Sequence, residues 1–283
     1  MLRRLAKLFR QPAFRQAPLT VLWRGVAWYV HVLFGSNPAF ELVPGGAKLR
    51  VTPDLRYTSV TAFLLRDAVE PELHYLQNFI GKNGAFIDVG ANIGLFTLKA
   101  APLAGRVVAV EPGEEAGRQL DANVALNSFS NVSVVRKALS DQPGRAALFH
   151  NPLGDDPQAF SLISDGSDSG SEAVDLITLD KLVEEQNLSR VDCIKIDVEG
   201  AEDLVLAGAT GTLARDRPTV IFEINCPTLF KAGGDPAAAW NRLVAFNYRF
   251  YRIGDDGVLT RLAQRPSEFG NVVALPAESA PPA

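Results

Sequence analysis

The chain has 283 residues, 47% hydrophobic and 21% charged, which suits a globular protein of one α/β domain with an appendage or of two small domains. Its two cysteines and three histidines form no cluster with metal-ligand spacing, which argues against a zinc enzyme. The first forty residues hold six basic and no acidic side chains. The rest of the chain has 22 basic and 32 acidic residues and no stripe of basic and aromatic residues, so we expect no nucleic-acid partner.

The N-terminal segment contains an apolar run, 19–34, that is interrupted by Arg24 and preceded by basic residues. The run is shorter than the about 20 apolar residues that a membrane-spanning helix needs, and no small-residue cleavage site of a secretory signal follows it. Two interpretations stay open: a helix that packs on the following domain, or peripheral contact of residues 1–40 with a membrane surface. We expect a cytoplasmic protein in either case, membrane-associated at its N-terminus in the second.

The elements after this segment follow a regular order. A short strand is predicted at 48–52 and a helix at 70–80. From residue 85 short apolar strands alternate with helices, a pattern typical of a mostly parallel sheet covered on both faces. The predicted strands of this sheet are 85–89, 106–110, 132–138, 191–196, 219–224, 249–253 and 272–275. Further strands are predicted at 146–150 and 173–177, and helices at 93–101, 114–127, 179–186, 201–207 and 236–246. We therefore predict an α/β fold with a Rossmann-like doubly wound, mostly parallel seven-stranded sheet.

The turn after the first of these strands is the strongest local motif, FIDVGANIG, running from Phe86 to Gly94. Gly90 permits a sharp turn and a close approach of ligand to backbone, and Gly94 would allow close contact between helix and strand. A dinucleotide pyrophosphate prefers G-x-G-x-x-G, whereas these glycines stand four apart and Asp88 would repel a pyrophosphate. The turn therefore favours the cationic amino-acid end of S-adenosylmethionine, held by Asp88 directly or through water.

The second strand ends in Glu111, within VVAVEP. A carboxylate at this position can accept hydrogen bonds from both ribose hydroxyls, a feature that S-adenosylmethionine and nicotinamide dinucleotides share. Only Asp88 and Gly94 discriminate between the two ligand classes. A nucleotide-binding oxidoreductase of the NAD type and a non-catalytic Rossmann-like scaffold therefore stay open as alternatives.

Acidic residues also follow the fourth and fifth strands. The fourth ends KIDVEGAE, with Asp197, Glu199 and Glu202, and the fifth ends FEIN, with Glu223 and Asn225. Carboxyl ends of parallel strands share one edge of a sheet, so we expect Asp197, Glu199 and Glu223 to face the ligand crevice. Clustered buried acids are costly unless they have a use. Glu202 is the exception, because it could simply favour a helix N-terminal dipole.

Together these segments resemble the FkbM family of methyltransferases, in family order and over about residues 72–225. The resemblance rests on FIDVGANIGLFTL (86–98), VVAVEP (107–112), LDANVALN (120–127), KIDVEGAEDLVLAG (195–208) and PTVIFEIN (218–225). It implies a fold of the class I methyltransferase type, S-adenosylmethionine as the methyl donor, and O-methylation of a hydroxyl on a sugar, glycan or polyketide-type product. Residues 1–69 would form an N-terminal helical extension, 70–276 the catalytic domain and 277–283 a disordered tail.

The resemblance also assigns cofactor-binding roles residue by residue. The residues that it places against the cofactor are Asp88, Gly90, Asn92 and Glu111, with Gly94 in the same turn. Ser140 and Asp141, after the third strand, would lie near the adenine. The acceptor, a small molecule or carbohydrate, would be selected by the segments outside the matched motifs.

Transfer of a methyl group to an alcohol calls for a base that takes the hydroxyl proton as the bond forms. The catalytic candidates are Asp197, Glu199 and Glu223; we favour Glu199 as the base, with Asp197 orienting the acceptor or the cofactor. The alternative places Mg²⁺ on Asp197, Glu223 and Asn225, hard oxygen ligands that suit this ion. The version without a metal is the preferred one.

Overall fold

A computed structural model describes residues 12–150, 160–164, 170–224 and 234–282 of the protein. The N-terminal part contains helices α1 (Pro12–Gln16) and α2 (Pro18–Leu33), the paired strands β1 (Ala39–Glu41) and β2 (Lys48–Arg50), and helix α3 (Tyr57–Leu65). Proline at the start of α2 suits the first helical turn, where its missing N–H would have had no partner.

The remaining elements alternate between strands and helices. The strands are β3 (Ala85–Val89), β4 (Arg106–Val110), β5 (Val132–Val135), β6 (Ala138–Leu139), β7 (Gly144–His150), β8 (Phe160–Ser161), β9 (Ser171–Ile177), β10 (Cys193–Ile196), β11 (Thr219–Ile224), β12 (Tyr248–Ile253), β13 (Leu259–Leu262) and β14 (Gly270–Pro276). The helices are α4 (Pro71–His74), α5 (Leu95–Ala100), α6 (Glu114–Asn127), α7 (Leu179–Glu185), α8 (Glu202–Ala207), α9 (Thr210–Asp216) and α10 (Ala238–Ala245).

The central sheet has eight strands in the order β13-β12-β14-β11-β10-β3-β4-β5. The five strands from β11 to β5 run parallel, and β14, β12 and β13 add antiparallel pairs at one edge. β3 is buried along its whole length, which explains its uninterrupted apolar sequence. The predicted α/β class is confirmed, but the prediction of seven strands is wrong: β13 is a short edge strand whose half-polar sequence resembles a loop.

A second sheet, in the order β6-β9-β7-β8, explains another difference from the prediction. The segment 132–138 is not one strand, because β5 ends at Val135 in the central sheet and β6 pairs with β9 in the second. The predicted helix 70–80 is likewise divided, into α4 and a following 3-10 turn at Leu76–Asn78.

The N-terminal part packs on the domain that carries the central sheet. Val21 and Trp28 of α2 share an apolar cluster with Ile93 and Leu98, which lie in and after the turn that follows β3. Of the described helices, none has the length and apolar character needed to cross a bilayer. At the other end, where a disordered tail is predicted, Glu278 accepts a hydrogen bond of 2.8 Å from Arg217 Nε.

Candidate active site

The turn between β3 and α5 is built from left-handed backbone. Gly90, Asn92 and Gly94 have φ values of 76°, 50° and 98°, a region that glycine adopts freely and asparagine tolerates. The amides of Gly90 and Ala91 both donate to the carbonyl of Val110, at 3.0 Å each. The sequence Gly-x-Asn-x-Gly therefore folds into a compact loop fixed to the end of β4.

Gly94 closes this turn against the next helix. It is the N-cap residue of α5, and a β-carbon at this position would lie 2.7 Å from Cδ1 of Leu120 on α6. The predicted close contact of helix with strand is wrong in its partner: the nearest neighbour of Gly94 is Leu120 of α6. A contact of Gly94 with the cofactor stays a prediction.

Glu111 stabilises the turn through hydrogen bonds from backbone amides. Its Oε2 accepts a hydrogen bond of 2.8 Å from the amide of Asn92, and its Oε1 accepts one of 2.8 Å from the amide of Gly113. The side chain is 5% exposed. Burial raises the pKa of Glu111 to about 7, because desolvation of the charged form outweighs the two amide hydrogen bonds that stabilise it.

Two buried acceptor atoms of the same turn have no hydrogen-bond partner within the described residues. Asp88 is fully buried, and its Oδ2 accepts a hydrogen bond of 2.6 Å from Thr97 Oγ1, but its Oδ1 is unpaired. The side-chain oxygen of Asn92 is also buried and unpaired. Such atoms are costly when left unsatisfied, so the turn is suited to a ligand that donates hydrogen bonds.

The loop after β10 is the second part of the site. Glu199 has φ = 53°, and its carbonyl accepts a hydrogen bond of 2.9 Å from Ser161 Oγ. Glu202, the first residue of α8, reaches back so that its Oε1 accepts from the amides of Gly200 and Val198, at 3.1 and 3.3 Å. Glu202 therefore fixes the loop that presents Glu199, a positioning role that the sequence did not assign to it.

These two loops touch each other. The amide of Asp197 donates to the carbonyl of Val89 at 3.0 Å, and a β-carbon on Gly90 would overlap the carbonyl oxygen of Asp197. The glycine turn and the acidic loop therefore form one continuous site, as the sequence predicted from the shared edge of the sheet.

Three carboxylates meet at this edge. Asp197, Glu199 and Glu223 each offer an oxygen, and these oxygens all lie within 4.8 Å of one another. Desolvation, together with the charges of Asp197, Glu199 and Glu202, raises the pKa of Glu223 well above its ordinary value. Asn225, the fourth predicted member, lies outside the described residues.

Lys195 is a buried cation that the sequence analysis left without a role. Its Nζ lies 2.9 Å from Asp197 Oδ2 and 4.8 Å from the ring centroid of Phe96. Burial alone would lower the pKa of Lys195, but the carboxylates of Asp197, Asp88 and Glu70 outweigh burial and raise it. A lysine inside the apolar strand Cys193–Ile196 was the indication that acidic partners surround it.

Ser140 and Asp141 follow β6 rather than a strand of the central sheet. Ser140 Oγ donates to Asp141 Oδ1 at 3.1 Å, and the Ser140 amide donates to the carbonyl of Ile177 at 3.0 Å. A β-carbon on Gly208 would overlap the Ser140 carbonyl oxygen, which places the pair beside the end of α8. Their assignment to the adenine stays a prediction.

Comparison with known proteins shows to which family this chain belongs. The family model described as "Methyltransferase FkbM domain" matches residues 88–250, more than half of the chain. The chain belongs to the FkbM methyltransferase family. Membership favours methyl transfer over the nicotinamide-dependent oxidoreductase that the sequence left open.

Named relatives of this FkbM family member include two curated proteins. It is 28% identical to the methyltransferase sdnD of Sordaria araneosa over 196 residues, 56% of this chain and 76% of sdnD. It is 29% identical to the antimetabolite synthetase AmbE of Pseudomonas aeruginosa over 177 residues, 48% of this chain but 8% of AmbE.

Among solved structures, the FkbM methyltransferase of Methylobacillus flagellatus is similar at 15% identity, with a TM-score of 0.45. The alignment covers 78% of this chain and 55% of that one. This chain therefore spans less than two thirds of the length of AmbE and of the Methylobacillus protein.

Proposed function

We propose that this chain is an S-adenosylmethionine-dependent methyltransferase that methylates a hydroxyl oxygen on a sugar, glycan or polyketide-type product. The observation that carries the proposal is the contact between the glycine turn and the acidic loop, at Gly90 and Asp197. A cofactor bound at the turn would lie next to carboxylates that can receive the proton of an acceptor.

The residues of the turn fit this cofactor. The unpaired oxygens of Asp88 and Asn92 are buried acceptors that an ammonium or hydroxyl donor, directly or through water, would satisfy. Glu111 uses both oxygens on backbone amides, but each carboxylate oxygen retains a further acceptor position for a ribose hydroxyl. The cofactor, when bound, supplies an electrophilic methyl group on a positively charged sulfur.

The charge of the site favours a cation. Lys195, the described cation of the β10 segment, interacts electrostatically with Asp88, Asp197 and Glu223. The cation that interacts with Glu111 is Arg136. Even with some of these acids protonated, the site contains an excess of acceptor oxygens over cationic donors. A positively charged sulfonium and ammonium are therefore better matched to it than a pyrophosphate.

Glu199 is the residue that we assign as the base. Burial and the neighbouring charges of Asp197, Glu199 and Glu202 raise the pKa of Glu223 well above its ordinary value, which makes Glu223 the less suitable base. Glu199 is only partly buried, and its backbone is fixed by Ser161 and Glu202. The acceptor proton would move to a carboxylate oxygen of Glu199, which is worth about 10²–10⁴-fold in rate.

Asp197 has a positioning role in this scheme. Its Oδ2 is held by Lys195 and its backbone by Val89, so its orientation relative to the glycine turn is fixed. Fixed partners on both sides of the transferred group align acceptor oxygen and methyl carbon, and such alignment can lower the barrier by ~7–11 kcal/mol.

A cleft beside Glu223 is where we place the acceptor. It is open to solvent, with an enclosed volume of only about 10 Å³, and Glu202, Glu223, Trp240 and Arg265 are among its lining residues. An acceptor would therefore lie along an open groove, where acidic and aromatic side chains suit a polyhydroxylated ligand. This supports a small-molecule or carbohydrate acceptor.

A metal-assisted version of the same reaction has one observation in its favour. The oxygens of Asp197, Glu199 and Glu223 stand close enough to share a divalent cation, and Mg²⁺ prefers such hard ligands. The ion would lower the pKa of the acceptor hydroxyl, so that less is required of a base.

The proposal is tested by incubating the protein with methyl-labelled S-adenosylmethionine and a panel of sugars, glycolipids and polyketides. We expect label on an oxygen of one acceptor class and formation of S-adenosylhomocysteine. Label on nitrogen or carbon of the product would contradict the O-methylation, and NAD binding without binding of S-adenosylhomocysteine would contradict the cofactor.

A further inference from the structure

Helix α2 carries an exposed apolar stripe on its outward face. Eight of the twelve exposed large hydrophobic residues found in the described parts of the chain lie in this one segment. They are Leu19, Leu22, Trp23, Val26, Tyr29, Val30, Leu33 and Phe34, and they are 43–81% exposed. Their spacing of three and four residues puts them on one side of the helix. These eight residues are called the α2 stripe below.

The opposite face of α2 packs against the rest of the protein. Trp28 is 2% exposed, and its Nε1 donates to the carbonyl of Asp54 at 2.8 Å. Arg24 Nη1 donates to the carbonyl of Leu64 at 2.9 Å. The only arginine of the helix therefore points away from the stripe, and these contacts within the protein fix the orientation of the helix. An apolar patch of this size left outside marks an interaction surface.

The chain before α2 supplies a complementary charge. It contains Arg3, Arg4, Lys7, Arg10 and Arg15, and the first acidic residue is Glu41. Arg15, in α1 immediately before α2, is exposed. A basic flank next to a helix face that carries tryptophan, tyrosine and leucine is the pattern of a helix that lies in the interface of an anionic bilayer.

We propose that the α2 stripe docks this protein on the surface of an anionic lipid bilayer. A second copy of the chain, paired symmetrically through the stripe, is a less favourable partner than a bilayer. Such pairing would bring two strongly cationic segments together, and their charges would repel each other. The 16 residues of α2 span about 24 Å, less than the about 30 Å of a hydrocarbon core. The helix would therefore lie along the surface.

Docking would bring the active site close to the membrane. Val21 and Trp28 of the inward face of α2 belong to the same apolar cluster as Ile93 of the glycine turn. The proposal does not rest on the proposed function, because lipid binding is measured without cofactor or acceptor.

The test is flotation of the full-length protein with vesicles of phosphatidylcholine that contain about one third phosphatidylglycerol. We expect the protein to float with these vesicles and not with pure phosphatidylcholine. Replacing Arg3, Arg4 and Lys7 by Gln should weaken binding by about fivefold for each cation removed. The double variant Trp23→Asp/Val26→Asp should abolish flotation.

The matched control is Val258→Asp/Phe269→Asp, which changes two residues of similar exposure elsewhere on the protein. It should float like the wild type. Fluorescence of the unmodified protein gives a readout that does not depend on an aspartate variant folding. Brominated lipids should quench tryptophan emission, and Trp23→Phe should remove most of this quenching, because Trp28 and Trp240 are buried.

Three results would overturn the proposal. The first is that the wild type does not bind anionic vesicles. The second is that brominated lipids quench Trp23→Phe as strongly as the wild type. The third is a stable dimer in light scattering that does not bind vesicles and that Trp23→Asp/Val26→Asp dissociates. The last result would assign the stripe to a second copy of the chain.

Discussion

The carbonyl oxygen of Asp197 occupies the space where a β-carbon on Gly90 would stand. The relationship joins the motif after β3 to the motif after β10, two segments more than a hundred residues apart in the chain. It explains why a glycine is needed at position 90 for two reasons, its φ of 76° and the absence of a side chain. It also brings the turn that we propose to bind the cofactor into contact with the loop that carries the proposed base.

The first prediction concerns this contact. Gly90→Ala should lower the free energy of unfolding by more than the about 1–2 kcal/mol that a left-handed alanine costs, because the loop carrying Asp197 must also move. It should also abolish binding of S-adenosylhomocysteine in calorimetry. Gly45→Ala is the matched control, with φ = 70° and no atom near the added carbon. A Gly90→Ala protein that binds S-adenosylhomocysteine as well as Gly45→Ala does would contradict the placement of the cofactor at this contact.

The second prediction separates the roles of two glutamates. Glu199→Gln should lower kcat by about 10²–10⁴-fold while the affinity for S-adenosylhomocysteine is retained. Glu223→Gln should lower kcat much less, because the amide resembles the protonated acid that burial and neighbouring charges favour at this position. Steady-state rates and calorimetry on both variants provide the comparison.

Glu184→Gln serves as the control for these rates, since Glu184 is exposed and pairs with Lys181 at the surface. It should turn over like the wild type. If Glu199→Gln keeps its turnover and Glu223→Gln loses it, the assignment of the base must be exchanged.

The third prediction is a pH dependence of cofactor affinity. Burial raises the pKa of Glu111 to about 7, and a ribose that donates hydrogen bonds favours the ionised form. The carboxyl is mostly protonated at about pH 6 and mostly ionised at about pH 8, so affinity should rise about tenfold between them. Glu111→Gln should remove this rise in a calorimetric titration. An affinity that falls with pH would mean that the protonated acid is the binding form.

The fourth prediction concerns the buried cation. Lys195→Met leaves Asp88 and Asp197 without their compensating charge, and should lower the free energy of unfolding by about 3–5 kcal/mol at neutral pH. The loss should shrink as the pH falls, because burial raises the pKa of Asp88 and its neutral form needs no compensating charge. Urea unfolding at several pH values measures it. Lys181→Met, which removes an exposed ion pair, is the control, and its free energy of unfolding should stay close to that of the wild type. If both substitutions lower the free energy of unfolding equally, Lys195 has no special role.

The fifth prediction is on metal dependence. We expect methyl transfer to survive exhaustive EDTA treatment, because Glu199 can accept the proton without an ion. Activity that is lost with EDTA and returns with Mg²⁺ would instead favour the ion held by Asp197, Glu199 and Glu223.

Much of the site could be predicted from sequence because its residues follow strands that are buried along most of their length. Strands 85–89, 106–110 and 219–224 are confirmed at their exact bounds. Each ends in or beside an acidic residue, and parallel strands bring these ends to one edge of the sheet. The meeting of Asp197 with Glu199 and Glu223 follows from this topology alone.

Other features depended on contacts that the sequence does not encode locally. The break of 132–138 arises because β6 finds its partner, β9, about forty residues later. The role of Glu202 depends on a side chain that turns back on its own loop. Lys195 could have been recognised as a buried cation, but its partners Asp88 and Glu70 come from distant segments.

The most direct test of the account is calorimetric titration of the purified protein with S-adenosylmethionine, S-adenosylhomocysteine and NAD. We predict saturable binding of the first two at a single site, lost in Gly90→Ala, and no binding of NAD. If the protein binds neither S-adenosylmethionine nor S-adenosylhomocysteine, or binds NAD in their place, the assignment of the glycine turn and its carboxylates to S-adenosylmethionine is contradicted.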